Sequence, residues 1–166
     1  TELRQALLYD DAYIPWTKQV FSQLTTEASL KSSTGDPEPV RDGINRPVGD
    51  DMHAWMCREG DSIELLFREK ALINNVTIIV DSGLDKLVAM SRLQKDDYIG
   101  SLPDVMPKSF RIEGMVGGEW TQLARTENNF MRLARFRIGR QLEGIRFILE
   151  KTHGAPESRI YAFYAD

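Results

Sequence analysis

The chain is poor in the residues that carry most protein chemistry. Cys57 is its only cysteine, and His53 and His153 are its only histidines in 166 residues. A single thiol allows no internal disulfide and excludes a cysteine-rich four-ligand zinc site. Two imidazoles leave few bases for a nucleophilic triad, and no serine stands in a G-x-S-x-G elbow. Neither G-x-G-x-x-G after a strand nor G-x-x-x-x-G-K-[ST] occurs, so flavin or nucleotide binding by these residues has no support. No apolar run approaches the roughly 18 residues that cross a bilayer. The opening TELRQALLYDD lacks the apolar centre of a secretion signal. Positive charge is also short. A net charge of -4 and a pI near 5.3 argue against a chain built to neutralise phosphates, and nucleic acid is not expected as a partner.

What the chain does have is alternation. Between residues 107 and 164, short segments with apolar residues at every second position are separated by glycine-bearing turns, the pattern of antiparallel strands with one face buried. Phe110 and Ile112 share a face opposite Ser109, Arg111 and Glu113. Gly114, Gly117 and Gly118 then supply a hairpin turn before Trp120 opens the next strand. Ala134, Phe136 and Ile138 alternate with Arg135 and Arg137, and Ile145, Phe147 and Leu149 with Arg146, Ile148 and Glu150. A turn at Gly154 and Pro156 leads to a last strand over residues 160–164. Upstream, Ile63, Leu65 and Phe67 form one further strand, and Val76, Ile78 and Val80 another. The reading is one all-β domain, with 42% hydrophobic residues to fill its core.

The remaining stretches read as attachments and loops. Leu3, Ala6 and Leu7 have helical spacing, which predicts a short N-terminal helix over residues 2–9. Residues 14–30 read as an extended linker with a turn of helix near Phe21. Residues 1–30 are therefore assigned to helix and linker, and residues 31–166 to the β domain. Residues 31–51, rich in Ser, Gly, Pro and Asp and containing Asp42-Gly43, form a long loop of the kind that holds binding groups. A second long loop spans residues 91–106.

Several constellations have a functional and a structural reading. His53 and Cys57, four apart, are half of a metal site if helical, but a loop histidine and a packed thiol are the commoner outcome. The pairs Asp10-Asp11, Asp50-Asp51 and Asp96-Asp97 offer carboxylates, yet neighbours on an extended chain point apart and read as solvated loop charge. The eight arginines from Arg111 to Arg159 offer a basic patch for an anionic glycan, but alternation places several of them on the solvent face of strands opposite glutamates, where cross-strand pairing is the commoner role. Asn75-Val76-Thr77 matches a glycosylation acceptor but lies in a strand that reads as buried. Trp16, Trp55, Trp120, Tyr161, Phe163 and Tyr164 are rings of the kind that stack on sugars. Trp120 and Phe163 are assigned to the core, and Trp55, between loop and strand, is the open case.

The succession DGINRP, MHAW, VTIIVDSGLD, KSFRIEG, WTQL, NNFMRL, GIRFILEKTHG and RIYAFY resembles a discoidin-like, galactose-binding-like module. More narrowly, with the LYDDAYIP segment, it is similar to the C-terminal domain of bacterial FAD-dependent oxidoreductases. The resemblance covers nearly the whole chain. It implies an eight-stranded antiparallel jelly-roll β-sandwich with loops gathered at one end, in a secreted or periplasmic protein. It further implies a non-catalytic accessory module that binds carbohydrate or docks onto a parent's catalytic part. By the same resemblance, sugar contacts fall to Arg46, His53 and Trp55. A structural calcium falls to Asp42 and main-chain oxygens near Asn45, helped by an acidic residue in the last strand where this chain has Ala162. Two alternatives stand beside this. One is a purely structural domain packing on its parent through the N-terminal helix and Leu66, Ile79 and Ile148. The other, a hydrolase using loop carboxylates, lacks a supporting base or metal motif.

Overall fold

The computed structural model describes residues 18–84 and 102–166. In chain order the elements are a short helix α1 (Gln23–Glu27), β1 (Ser29–Ser32), a 3-10 turn (Glu38–Arg41) and β2 (Trp55–Cys57). They continue with β3 (Ser62–Val80), β4 (Pro107–Val116), β5 (Glu119–Thr126), β6 (Leu133–Thr152) and β7 (Ser158–Ala165). All pairings are antiparallel, in the order β2-β7-β3-β6-β4-β5, with β1 added beside β3.

Two strands arch over one end of the molecule. Residues 62–66 of β3 pair with 144–148 of β6, and after register shifts residues 75–79 pair with 133–137. The early half of β3 and the late half of β6 join β1, β4 and β5 in one sheet. The other halves join β7 and β2 in a second sheet. This is why segments that read as separate strands, 63–67 with 76–80 and 134–138 with 145–149, are each one continuous strand here. The ladder runs on through the bulges instead of breaking into turns. The described residues thus hold seven strands where eight are expected, with β3 and β6 each serving both sheets.

Alternation puts the same residues on the inner faces that the sequence marks out. Ile63, Leu65, Phe110, Ile112, Ile145, Phe147 and Leu149 from the first sheet meet Val76, Ile78, Ile160 and Phe163 from the second in one buried cluster. The rings of Phe110 and Phe136 meet edge to face at 6.1 Å across the sandwich, and Phe147 and Phe163 lie 6.3 Å apart. Each such buried side chain contributes about 1.5–3 kcal/mol relative to exposure. In β7 the pairing slips, with Ile79 opposite Ala162 but Val80 opposite Ile160. The extra residue at the slip lets Ile160, Phe163 and Ala165 all face inward, while Tyr161 and Ala162 join Phe21 and Ile79 on the outer side. After Arg159, the run IYAFY carries no charge because both faces of this strand are covered.

That outer cover corrects two expectations. The division at residues 30 and 31 falls inside β1, and the stretch from residue 18 belongs to the domain. Phe21 lies 5.1 Å from the Tyr164 ring, and Thr25 is buried with its Oγ1 donating to the Ala165 carbonyl at 3.1 Å. Ser22 Oγ donates to the same carbonyl at 2.9 Å. Likewise, Leu66, Ile79 and Ile148 present no exposed docking patch. Ile79 is buried under the Phe21 segment, Ile148 is buried and Leu66 is half-buried. The predicted helix over residues 2–9, Trp16, Asp10-Asp11 and Asp96-Asp97 lie outside the described residues.

Candidate loop site

At the end opposite the arches, β5 finishes, β4 and β7 begin, and β3 and β6 both begin and finish. The connections are laced together there. Val80 N donates to Arg132 O at 2.9 Å, Asp81 N to Arg159 O at 2.9 Å, His153 N to Met106 O at 3.0 Å and Asn129 N to Lys108 O at 2.8 Å.

The Asp-Gly loop is fixed onto this end from its own side chains. Gly43 has φ +85, and a Cβ there would lie 2.5 Å from Gln19 O, so only glycine fits. Its carbonyl accepts from Gln19 N at 2.9 Å. Asp42 Oδ1 accepts from Ile44 N and its Oδ2 meets His53 Nδ1, both at 2.7 Å. His53 N donates to Asp51 Oδ1 at 2.9 Å, which helps hold His53 in the left-handed region at φ 47, uncommon for a residue with a side chain. The imidazole Nε2 stands 3.7 Å from Asp51 Oδ2, too far for a hydrogen bond. Asn45 Nδ2 donates to Gln19 Oε1 at 2.8 Å. The Asn45 carbonyl accepts from the Arg132 guanidinium, which itself lies 5.6 Å from the centre of the Tyr161 ring. Arg46, the next residue, is half-buried.

The loop between β5 and β6 carries a residue that no strand pattern in the sequence marks out. Asn129 is buried and works as a clamp. Its Nδ2 donates to Pro107 O at 3.1 Å and Met131 O at 2.9 Å, and its Oδ1 accepts from Met131 N at 3.2 Å. Its carbonyl lies 2.7 Å from His153 Nε2. With Asn129 turned in, Phe130 is turned out and is 70% exposed, with Met131 53% exposed beside it. The signal was present in NNFMRL, where two asparagines precede an aromatic that belongs to no strand alternation.

The candidates named from sequence separate accordingly. Asp42, Asn45, Arg46 and His53 share one loop, and Arg132 ties that loop to the one bearing Phe130. Trp55 does not join them. It begins β2 opposite Ile160, is 0% exposed, and donates its indole N–H to Thr34 O at 2.7 Å, so neither ring face is open to a sugar. The half metal site at His53 and Cys57 also dissolves. The two stand on loop and strand, and Cys57 is a buried thiol whose pKa burial pushes up.

The arginines of the first sheet pair along and across strands on its outer face. Arg111 meets Glu113 at 2.8 Å and Glu150 at 3.1 Å, Arg125 meets Glu150 at 2.9 Å, and Arg146 bonds Glu113 and Glu64. The Arg146 guanidinium lies 4.4 Å over the Trp120 ring. Burial pushes the Glu113 carboxyl up, but hydrogen bonds from Arg111 and Arg146 together outweigh it and hold the group below the usual glutamate range. Glu150 is lowered in the same way by Arg125 and Arg111 against its desolvation.

The Asp-Gly loop does not fit a calcium ion. That cation needs six or more oxygens, whereas both Asp42 oxygens face donors and the Asn45 carbonyl holds a guanidinium. Ala162 is buried among Phe21, Ile79 and Tyr161. Among the described residues no three His, Cys, Asp or Glu side chains cluster as metal ligands.

No family model matches this chain, and no curated protein matches it. Solved structures do. The family 32 carbohydrate-binding module from Streptococcus pneumoniae EndoD superposes with a TM-score of 0.64 at 12% identity, over 87% of this chain and 99% of that one. A chitosan-binding module from a Paenibacillus sp. IK-5 chitosanase/glucanase gives 0.60 at 14%, covering 87% and 98%. The family 32 module of C. perfringens NanJ, in complex with galactose, gives 0.59 at 11%, covering 86% and 95%. Identities this low show the fold alone, and the chain has the antiparallel β-sandwich fold of these modules. The oxidoreductase side of the resemblance gains no support from these matches. Among the described residues no helix is long and apolar enough to cross a membrane.

Proposed function

We propose that the domain is a non-catalytic carbohydrate-binding module whose site lies between the Asp-Gly loop and the loop carrying Phe130. The observation that carries this reading is the outward Phe130 ring, 70% exposed on a loop that Arg132 fastens to Asn45, whose own loop also carries Arg46 and His53. An aromatic face covers the C–H side of a pyranose while neighbouring polar groups take its hydroxyls. Asp42 occupies His53 Nδ1, which leaves Nε2 to face a ligand. The sugar contacts are thus Phe130, Arg46 and His53, with Phe130 in the part that Trp55 had from sequence. The fold shared with sugar-binding modules, two of them named with galactose or chitosan, supports the reading. An extracytoplasmic setting, where polymeric sugars are met, goes with it. An oxidoreductase parent forms no part of the proposal.

The test is an amide NMR titration with a panel of mono- and oligosaccharides including galactose and chitosan oligomers. Saturable shifts confined to residues 42–53 and 127–132, abolished in a folded Phe130→Ala variant, are the expected result. A well-dispersed spectrum that no sugar perturbs sinks the reading.

A further inference from the structure

We propose that Arg132 is the resident cation of this loop end, holding the Asp-Gly loop in place of a metal ion. Its own backbone is fixed first, since its carbonyl accepts from Val80 N at 2.9 Å where β3 ends. From that point the side chain reaches over Tyr161, with the guanidinium 5.6 Å from the ring centre, and donates to the Asn45 carbonyl. Tyr161 is fully buried and sits at the slip in β7, so the platform under the guanidinium belongs to the rigid part of the sandwich. A cation on a ring face bonded to a carbonyl is a favourable, directional arrangement that a planar guanidinium serves better than an ammonium.

The neighbouring groups agree with a monovalent cation. Both Asp42 oxygens and the Gly43 carbonyl are used by neutral donors and an imidazole, with Ile44 N and His53 Nδ1 each 2.7 Å from Asp42 and Gln19 N 2.9 Å from the Gly43 carbonyl. The buried Asn45 Oδ1 has no hydrogen-bond partner among the described residues, and it is a single oxygen, far short of a calcium shell. A divalent ion at the Asn45 carbonyl would meet the guanidinium's charge at contact distance and would have to displace it. One side chain therefore performs two tasks, holding the Asp-Gly loop and joining it to the loop of Phe130. In the second task Arg132 is a positioning residue for the sugar site, and that part rests on the function proposed above.

The deciding experiment uses the whole chain and needs no sugar. Thermal unfolding is followed with chelator and with millimolar calcium, and amide spectra are recorded for wild type, Arg132→Gln and Arg132→Lys. Calcium and chelator are expected to leave the wild-type midpoint within about 1 °C, where a specific metal well above its Kd raises it by about 5 °C or more. Arg132→Gln is expected to lower the midpoint by about 3–8 °C and to move the amides of Asn45 and Arg46, with Arg132→Lys falling between. Saturable calcium shifts at residues 42–45 of the wild type overturn the proposal, as does an Arg132→Gln spectrum in which Asn45 and Arg46 stay in place. If Arg132→Gln does not fold, the wild-type calcium titration and Arg132→Lys still decide. A sugar titration on the same samples reports separately on the binding function, so either idea can fall without the other.

Discussion

On the outer face of the sheet that holds β4 and β5, Arg111, Arg125 and Arg146 stand against Glu64, Glu113 and Glu150, and the side chains cover the strands themselves. On the outer face of the sheet that holds β7, the side chains are Ile79, Tyr161 and Ala162, and the cover is another piece of chain carrying Phe21. A long charged side chain reaches its partner across neighbouring strands while its head stays wetted, so a charged face completes itself. An apolar face must borrow a cover. The second sheet consequently depends on residues 18–28, which alternation alone does not assign to the domain.

The sharpest way to break this contrast is Phe21→Ala. Stripping the borrowed cover is expected to cost about 3 kcal/mol in chemical denaturation, and a cost below about 1 kcal/mol would mean that the cover is dispensable. Next comes Gly144→Ala on the charged face. A Cβ there would lie 2.8 Å from Leu65 O and 2.9 Å from Leu66 Cδ2, with backbone on one side that cannot give way. The expected loss is about 1–3 kcal/mol, read from the same unfolding curves.

Glu113→Gln then tests whether the charged face is held by its ion pairs. Removing the carboxylate that Arg111 and Arg146 share is expected to cost about 1–2 kcal/mol. The pH dependence follows from the lowered pKa values of Glu113 and Glu150. Folded-state values below the unfolded value mean stability that is complete above the unfolded glutamate pKa of about 4.3 and is lost as pH falls through the folded values. Unfolding free energy measured downward from pH 6 is expected to fall in that window, and to fall less steeply in a Glu113→Gln, Glu150→Gln double variant. Equal slopes for the two proteins would remove these pairs from the account. Smallest of all is Arg58→Ala. Its pair with Glu157 at 2.5 Å is exposed on both sides, and no measurable change in midpoint is expected.

Much of the sandwich was legible because burial on one face writes itself as alternation, and Phe110, Ile112, Ile145, Phe147 and Leu149 all face inward as read. The arches were not legible. A bulge keeps a strand continuous while shifting its register, and local composition around Gly139 looks the same for a bend as for a turn. The slip in β7 likewise hid which residues of RIYAFY face which way. At the loop end Asp42, Asn45, Arg46 and His53, close in sequence, lie on one loop. The sequence could not separate Trp55 from Phe130, because what buries the one and extrudes the other is supplied from far along the chain. Thr34 and Ile160 receive Trp55, while Pro107 and His153 hold the asparagine beside Phe130.

The arched strands bear on how the chain reaches its native state. Since β3 and β6 each give one half to either sheet, neither sheet is complete until both strands have found each other along their length. Their partnered residues lie more than fifty positions apart, from Ile79 with Leu133 to Ser62 with Ile148. Loop closure on that scale precedes nearly all the contacts that reward it, which favours a slow, all-or-none search over assembly from parts. A chain stopped before β6 has no half of this domain to fall back on.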